Sequence, residues 1–244
     1  MREGSSPTSA RTPFEATMPE RYRETFDSEA IARHAAIVAR RGTWPAHVEV
    51  CAHQPEGVTV VCVVADDRPG LLSRIAASLV IHSIDILSAQ AYTRVSPSGA
   101  GEAVDFLWLR RIGGGSAVSE LECERIADVL RALVTGERSL DAEVSGARPM
   151  PRQAFATSIA MSDTTNGELL MTIEASDRPG LLLAITRSLF RAGVQIVASD
   201  ATTENGRVVD RFTIVETDGS PVSEKRRRSL QSDVLAAVDT VARS

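Results

Sequence analysis

A hexapeptide is written twice in this chain, as Asp67-Arg68-Pro69-Gly70-Leu71-Leu72 and again as Asp177-Arg178-Pro179-Gly180-Leu181-Leu182. Each copy closes an apolar, β-branched run and opens a run of helical period. The match extends outward at the same offset of 110 (177 − 67). Ile75, Ser78 and Leu79 recur as Ile185, Ser188 and Leu189, and Ile86, Ala91 and Thr93 recur as Ile196, Ala201 and Thr203. Two modules of about 90 residues each are too few for a solenoid. The chain must therefore fold as a tandem of two small α/β domains, and what the repeated turn does becomes the functional question.

With 244 residues, 43% of them hydrophobic, there is enough apolar material for two cores. A formal charge of −5 and a pI near 5.5 provide no basic stripe for nucleic acid. The run from Lys225 to Arg228, with Glu224 and Arg228 at i, i+4, reads as a solvated helix face. Cys51, Cys62 and Cys123 show no metal-ligand spacing and fit reduced thiols in a cytosol. No apolar stretch approaches the roughly 20 residues that span a bilayer, and no apolar signal core stands at the N-terminus. A cytoplasmic protein, with no membrane and no nucleic-acid partner, is the expectation.

Residues 1–17, rich in Ser, Thr, Pro and Gly, read as disordered. Residues 18–45 read as a helix, capped by Asp27 or Ser28 and ended by Gly42, with a connector. The first module, 46–135, gives a short strand, a turn at Pro55-Glu56-Gly57, a strand over 58–65 and a helix over 71–82. Strands over 84–95 and 102–111 and a helix over 119–134 complete it. Gly113-Gly114-Gly115-Ser116 is a loop between strand and helix. A polar linker, 136–153, leads to the second module, 154–244, with strands over 154–161, 168–175, 194–203 and 207–216 and helices over 181–192 and 222–241. Glu204-Asn205-Gly206 is a hairpin signal.

Each module thus reads β-β-α-β-β-α, whereas an ordinary split βαβ domain reads β-α-β-β-α-β. Its last strand lies antiparallel beside its first, and a strand joined to the first by a tight turn can fill that slot. Alternatively, strand 154–161 serves the first module, leaving an open edge in the second. The local hairpin is favoured. The fold class is α/β (α+β): two ferredoxin-like domains in tandem, each an antiparallel sheet with helices on one face.

The helix after each Asp-Arg-Pro-Gly turn begins with unsatisfied N–H groups and the positive end of its dipole. Proline surrenders an N–H that has no helical partner, and glycine permits close approach to the backbone. That is a carboxylate pocket in outline. Asp67 or Asp177 beside it can accept from an ammonium, so the pair suits the head group of a free α-amino acid. The plainer reading is that Asp caps the helix and nothing binds. On the following strands Asp85, Ser88 and Gln90 correspond to Gln195, Ala198 and Asp200. These are possible side-chain partners, or ordinary residues of a partly exposed strand.

The stretch 60–86, with Asp-Arg-Pro-Gly-Leu-Leu and Ile84-Asp85-Ile86, resembles an ACT domain, as does 171–196 with Val194-Gln195-Ile196. The resemblance implies regulatory modules that pair and bind amino acids near that turn. More narrowly, residues 18–242 resemble the C-terminal regulatory region of the bifunctional PII uridylyltransferase/uridylyl-removing enzymes. The cues are Met18-Pro19-Glu20-Arg21-Tyr22, Ile31-Ala32-Arg33-His34, the two modules with their extra strands, and Arg207-Val208-Val209-Asp210. Those enzymes use an Asp-x-Asp metal pair and a His-Asp dipeptide, and this sequence contains neither.

The resemblance implies a non-catalytic sensor of a small amino acid, glutamine first among candidates, tied to nitrogen metabolism, with no cofactor and no metal. The ligand residues would be Asp67, Gly70, Leu71 and Asp85 in the first module and Asp177, Gly180, Leu181 and Gln195 in the second. Many ACT domains place Asn where Asp85 and Gln195 stand. A neutral Gln195 does not repel a carboxylate as Asp85 does, so the second module is the better candidate. Charge-assisted hydrogen bonds of about 1.5–3 kcal/mol each, less ordering costs, give dissociation constants on the order of micromolar to millimolar. A homodimer and a nitrogen-regulatory protein partner are further expectations. The alternative is a ligand-free interaction module that partners a PII-modifying enzyme. No residue set supports a cryptic enzyme.

Overall fold

The computed structural model describes residues 12–140, 156–204 and 206–243. Three helices come first: α1 (Pro13–Thr17), α2 (Glu20–Thr25) and α3 (Ser28–Arg41). The first module follows as β1 (Ala46–Gln54), β2 (Val58–Asp66), α4 (Leu71–Ile81), β3 (Ile84–Val95), β4 (Gly101–Arg111) and α5 (Glu120–Thr135). The second repeats the order as β5 (Ser158–Asp163), β6 (Leu169–Ser176), α6 (Leu181–Arg191), β7 (Val194–Glu204), β8 (Arg207–Glu216) and α7 (Glu224–Arg243).

All eight strands form one antiparallel sheet in the order β1-β2-β4-β3-β7-β8-β6-β5. β1 pairs with β2 and β5 with β6. Each extra strand therefore fills the edge slot of its own module through a local hairpin, and the swapped alternative falls away. The helices α4, α5, α6 and α7 cover one face. Their apolar stripes, Leu72, Ile75 and Leu79 on α4 and Leu230, Val234 and Val238 on α7, join one core with the inward residues of both modules. Ser119 and Glu122 form a reciprocal capping box at the start of α5, which satisfies donors the helix leaves orphaned.

The modules' own helices keep to one face, as expected, but the N-terminal helices add cover on the other. Over the first module it is covered by α1, α2 and α3, where Tyr22, Ile31, Ile37, Cys62, Tyr92, Val104 and Phe106 share a second core. Residues 13–17, expected to be disordered, form a capped turn of helix with Phe14 buried. Phe14 packs edge-on to Tyr22 and lies under the Arg94 guanidinium, so a segment that looks polar in composition is anchored by its one aromatic residue. Buried Glu102 accepts from Arg41 at 2.7 Å and from Arg94 Nε at 2.6 Å, fastening the end of α3 to the hairpin of β3 and β4. Residues 1–11, 141–153 of the expected linker, the first two residues of the expected strand 154–161 and Asn205 of the expected hairpin lie outside the described residues.

The two modules meet along β3 and β7, which pair antiparallel as Ser88↔Thr202, Ala89↔Ala201, Gln90↔Asp200 and Ala91↔Ser199. Gln90 and Asp200 are counterparts at the offset of 110, so each lies opposite its own repeat. That is the signature of an isologous, pseudo-two-fold contact within one chain.

Candidate functional site

Neither turn aspartate caps its helix. The N-cap of α4 is Gly70 at φ 76°, ψ 11°, and that of α6 is Gly180 at φ 81°, ψ 2°, with no side-chain cap in either. This left-handed conformation is the reason both positions hold glycine. The turn is pinned by its backbone instead. The Asp67 amide donates to the Gly101 carbonyl at 3.0 Å, and the Asp177 amide to the Gly206 carbonyl at 2.9 Å. The amides of Leu71 and Leu181, expected to meet a carboxylate, donate within the turn to Arg68 and Arg178, both at 3.1 Å. Among the described residues, the amides of Gly180, Leu182 and Leu183 meet no backbone acceptor. Of the two amides expected to meet a carboxylate at the mouth of α6, those of Gly180 and Leu181, only that of Leu181 is taken up by the turn.

The pseudo-dyad crosses the halves of the site. Each turn faces the strand that follows the helix in the other module, with Asp177, Arg178 and Gly180 against Ile84–Leu87 of β3 in one cleft. In the other, Asp67, Arg68 and Gly70 lie against Val194, Ile196 and Val197. The expected grouping of Asp67 with Asp85, and of Asp177 with Gln195, is overturned by this seam. Strand alternation removes the Gln195 side chain as well. Ile84 and Ile86 pack on the helix side of the sheet. Asp85 itself borders the Gly180 cleft, across from the other module's turn, with its carboxylate 3.9 Å from Arg110, its register partner. Gln195 pairs with Val215 and lines neither cleft.

Further carboxyls come from the hairpin's second strand. Asp105 and Asp210 are buried at 4% and 2% exposure, and they line the Gly70 and Gly180 clefts respectively. Asp105 is in register with Ala91 and Asp210 with Ala201, so they are counterparts. Burial pushes both carboxyls up to about 8. Asp177 and Asp200 push Asp210 the same way. Asp105 is raised by Asp67 and held back by the Tyr92 amide, which donates to it at 3.3 Å. Asp67 is itself raised by burial, against a hydrogen bond from Thr93 at 3.0 Å. Each cleft therefore holds two mutually repelling carboxyls, an arrangement that favours an incoming cation or a retained proton.

Asp105 and Asp210 escape a reading by repeats because they are 105 apart, whereas the turns are 110 apart. The first hairpin is five residues longer (110 − 105), so a scan at the turn's offset compares Asp105 with Val215. The signal that was available is a lone aspartate inside each apolar run, Ala103-Val104-Asp105-Phe106-Leu107 and Val208-Val209-Asp210.

The two clefts are not equivalent. A Cβ at Gly70 would sit 2.5 Å from the Phe190 ring and 2.7 Å from Arg74, whereas one at Gly180 would meet nothing within 4 Å. Arg74 stacks on Phe190 at 5.2 Å and donates to the Pro69 carbonyl at 3.0 Å. At the offset of 110 the counterparts of Phe190 and Arg74 are Val80 and Ala184, too small to form such a stopper. Arg68 spends its guanidinium on the Val134 carbonyl and on Asp66, both at 3.2 Å. Arg178 Nη1 is buried and meets no acceptor among the described residues. Free volume is small in both, about 20 Å³ in the Gly180 cleft and about 30 Å³ in the Gly70 cleft, room for a water or two.

No group of three or more His, Cys, Asp and Glu with metal-holding geometry occurs among the described residues. No helix among them is long and apolar enough to cross a membrane.

No family model matches the chain. Among curated proteins, it is 29% identical over 229 residues to the bifunctional uridylyltransferase/uridylyl-removing enzyme of Rhodospirillum rubrum, covering 90% of this chain and 24% of that one. The enzyme of the same name from Phenylobacterium zucineum is 29% identical over 233 residues, with 93% and 24% covered. That of Gluconobacter oxydans is 28% identical over 226 residues, with 89% and 23% covered. A crystal structure of an unknown protein from Galdieria sulphuraria shares 18% identity over 76% of this chain and 91% of that one, at a TM-score of 0.22, too low to say anything of the fold. The chain spans about a quarter of the length of the curated relatives it matches. Over nine-tenths of its own length, it resembles the C-terminal regulatory region of the bifunctional uridylyltransferase/uridylyl-removing enzymes.

Proposed function

We propose that the chain is a non-catalytic regulatory module that binds one small free amino acid, glutamine first among candidates, in the Gly180 cleft. The observation that carries this reading is the unspent Arg178 Nη1 beside an unobstructed left-handed glycine. With the free amides at the start of α6, it offers donors for a carboxylate. Asp177 and Asp210 offer acceptors for an ammonium at the other side of the same cleft. The choice of glutamine, the link to nitrogen metabolism and a cytoplasmic setting rest on the resemblance to the uridylyltransferase region.

The free volume of about 20 Å³ sets the mechanism. An amino acid enters only if the turn and α6 part from β3, so the ligand selects a widened conformer and shifts the population toward it. Because the cleft lies across the seam of the two modules, widening changes how they pack. A homodimer, formed through an outer sheet edge, belongs to the same proposal and is tested by light scattering.

The test is thermal and calorimetric titration with each proteinogenic amino acid. A ligand at 100 times its dissociation constant raises stability by about 2.7 kcal/mol. Arg178→Met is expected to abolish the effect and Arg68→Met to preserve it. No stabilisation by any amino acid at high millimolar concentration overturns the reading. The narrowness of both clefts then favours the alternative, a ligand-free interaction module that partners a PII-modifying enzyme.

A further inference from the structure

Away from both clefts, on the face covered by α3, two thiols and a histidine stand together. β1 and β2 pair as Glu49↔Cys62 and Val50↔Val61, and the register then slips so that Ala52 meets Val60. Cys51 is the extra residue of this bulge, and bulges re-aim side chains. It packs, half-buried, against the same core that contains fully buried Cys62. His34 from α3 lies beside Cys51 and holds the Tyr22 hydroxyl on Nδ1 at 2.8 Å. Tyr22 stays a phenol because burial pushes its ionisation up.

We propose that Cys51 is a peroxide-reactive thiol and Cys62 its resolving partner, closing a reversible disulfide between β1 and β2. The Cys51 thiolate attacks one oxygen of a hydroperoxide, the O–O bond breaks, and the departing oxygen leaves protonated as water or an alcohol. Cys51 is then a sulfenic acid. The Cys62 sulfur attacks Cys51 Sγ, the S–O bond breaks, and the hydroxide takes the Cys62 proton and leaves as water. Two electrons pass from the thiols to the peroxide. A cellular dithiol reverses the step by exchange.

The chemical environment supports the assignment of roles. The neighbouring Cys62 thiol, with His34, brings Cys51 down against the effect of burial. Burial and the Cys51 charge hold Cys62 protonated. A nucleophile needs its thiolate and a resolving cysteine does not. Cys123 serves as an internal reference, sealed in the other core and raised to about 12 by burial.

The experiment treats the reduced full chain with a small excess of hydrogen peroxide at pH 7, blocks residual thiols with an alkylating reagent and maps the peptides by mass spectrometry. The expected product is an intramolecular Cys51–Cys62 cross-link with Cys123 free, formed roughly tenfold or more faster than any oxidation of Cys123. Cys62→Ser is expected to stop at a Cys51 sulfenic acid, trapped by a carbon nucleophile such as dimedone, and Cys51→Ser to leave Cys62 reduced. Circular dichroism of each variant checks folding, and the cross-link in the unaltered chain decides the matter if a variant misfolds. Oxidation of Cys51 and Cys123 at equal rates, or disulfides only between chains, overturns the proposal.

Discussion

The Gly70 and Gly180 clefts descend from one sequence and share a backbone, yet only the second leaves a buried arginine nitrogen without an acceptor among the described residues. In both, a left-handed glycine opens a helix across from the other module's third strand, and a buried aspartate from the hairpin forms the floor. Two exchanges separate them. Where the second module has Phe190 the first has Val80, and where the first has Arg74 the second has Ala184. Phe190 and Arg74 close over Gly70, and Arg68 turns to Asp66 and Val134. The lesson is that a duplicated motif conserves its turn for folding, while side chains on the neighbouring helix decide whether that turn faces a ligand.

The largest expected effect concerns pH, because it sums over both clefts. Asp105 and Asp210 hold a proton in the folded chain up to about pH 8, whereas an unfolded aspartate releases it near pH 4. Between those values the folded state binds more protons, so stability is full at the acid end and is lost as pH rises toward 8. The loss runs to about 1.4 kcal/mol per pH unit for each group, levelling above pH 8. Urea unfolding from pH 5 to 8 measures it. Asp105→Asn and Asp210→Asn should each remove one group's share. A saturating amino acid that seats its ammonium on Asp210 should displace that proton and cancel the share of Asp210 alone. Equal loss of both shares would put ligand in both clefts and break the comparison.

Next is the pair Gly70→Ala and Gly180→Ala. Both place a Cβ at positive φ, which costs about 1–2 kcal/mol. At Gly70 the new methyl also collides with Phe190 and Arg74, and overpacking adds roughly 1–3 kcal/mol. Denaturant midpoints should therefore fall further for Gly70→Ala. Amino-acid affinity should fall further for Gly180→Ala, whose Cβ stands where the ligand is proposed to seat. The same order in both assays would mean that stability alone governs binding.

Phe190→Val restores in the second module the residue found at the counterpart position in the first. It should cost about 1 kcal/mol, since Phe190 is only half-buried, and it frees Gly70 from its stopper. Calorimetric stoichiometry should rise from one amino acid per chain toward two. A value that stays at one would assign the closure to Arg74 or to the spent guanidinium of Arg68.

The duplication, the element order and the edge strands were legible because each has a local cause: the Asp-Arg-Pro-Gly turn, helical spacing on α4 and α6, and tight hairpins. The cover of α1 to α3 on the second face was not, since a polar N-terminal segment shows nothing of the face its few aromatics will join. Asp67, Gly70, Asp177 and Gly180 were found at the clefts because backbone chemistry marks them. Asp85 was grouped with the wrong turn, and Gln195 with a cleft it does not line, because a repeat read one module at a time conceals the seam that exchanges the strands. Asp105 and Asp210 were hidden by five residues of hairpin.

The smallest expected effect is the sharpest check on that exchange. Read within one module, Gln195 stands close in sequence to the Gly180 turn and has an amide suited to a carboxylate. In the folded sheet, Val194 and Ile196 face the helices, so alternation turns Gln195 toward the other face, opposite Val215. Gln195→Ala should therefore change stability within roughly 0.5 kcal/mol, as surface substitutions do, and amino-acid affinity by less than about threefold on the same energy scale. Arg178→Met, assayed beside it, supplies the loss that a true cleft residue gives. A tenfold or greater loss in Gln195→Ala would return the amide to the site, and with it a pairing in which each module binds through its own strand.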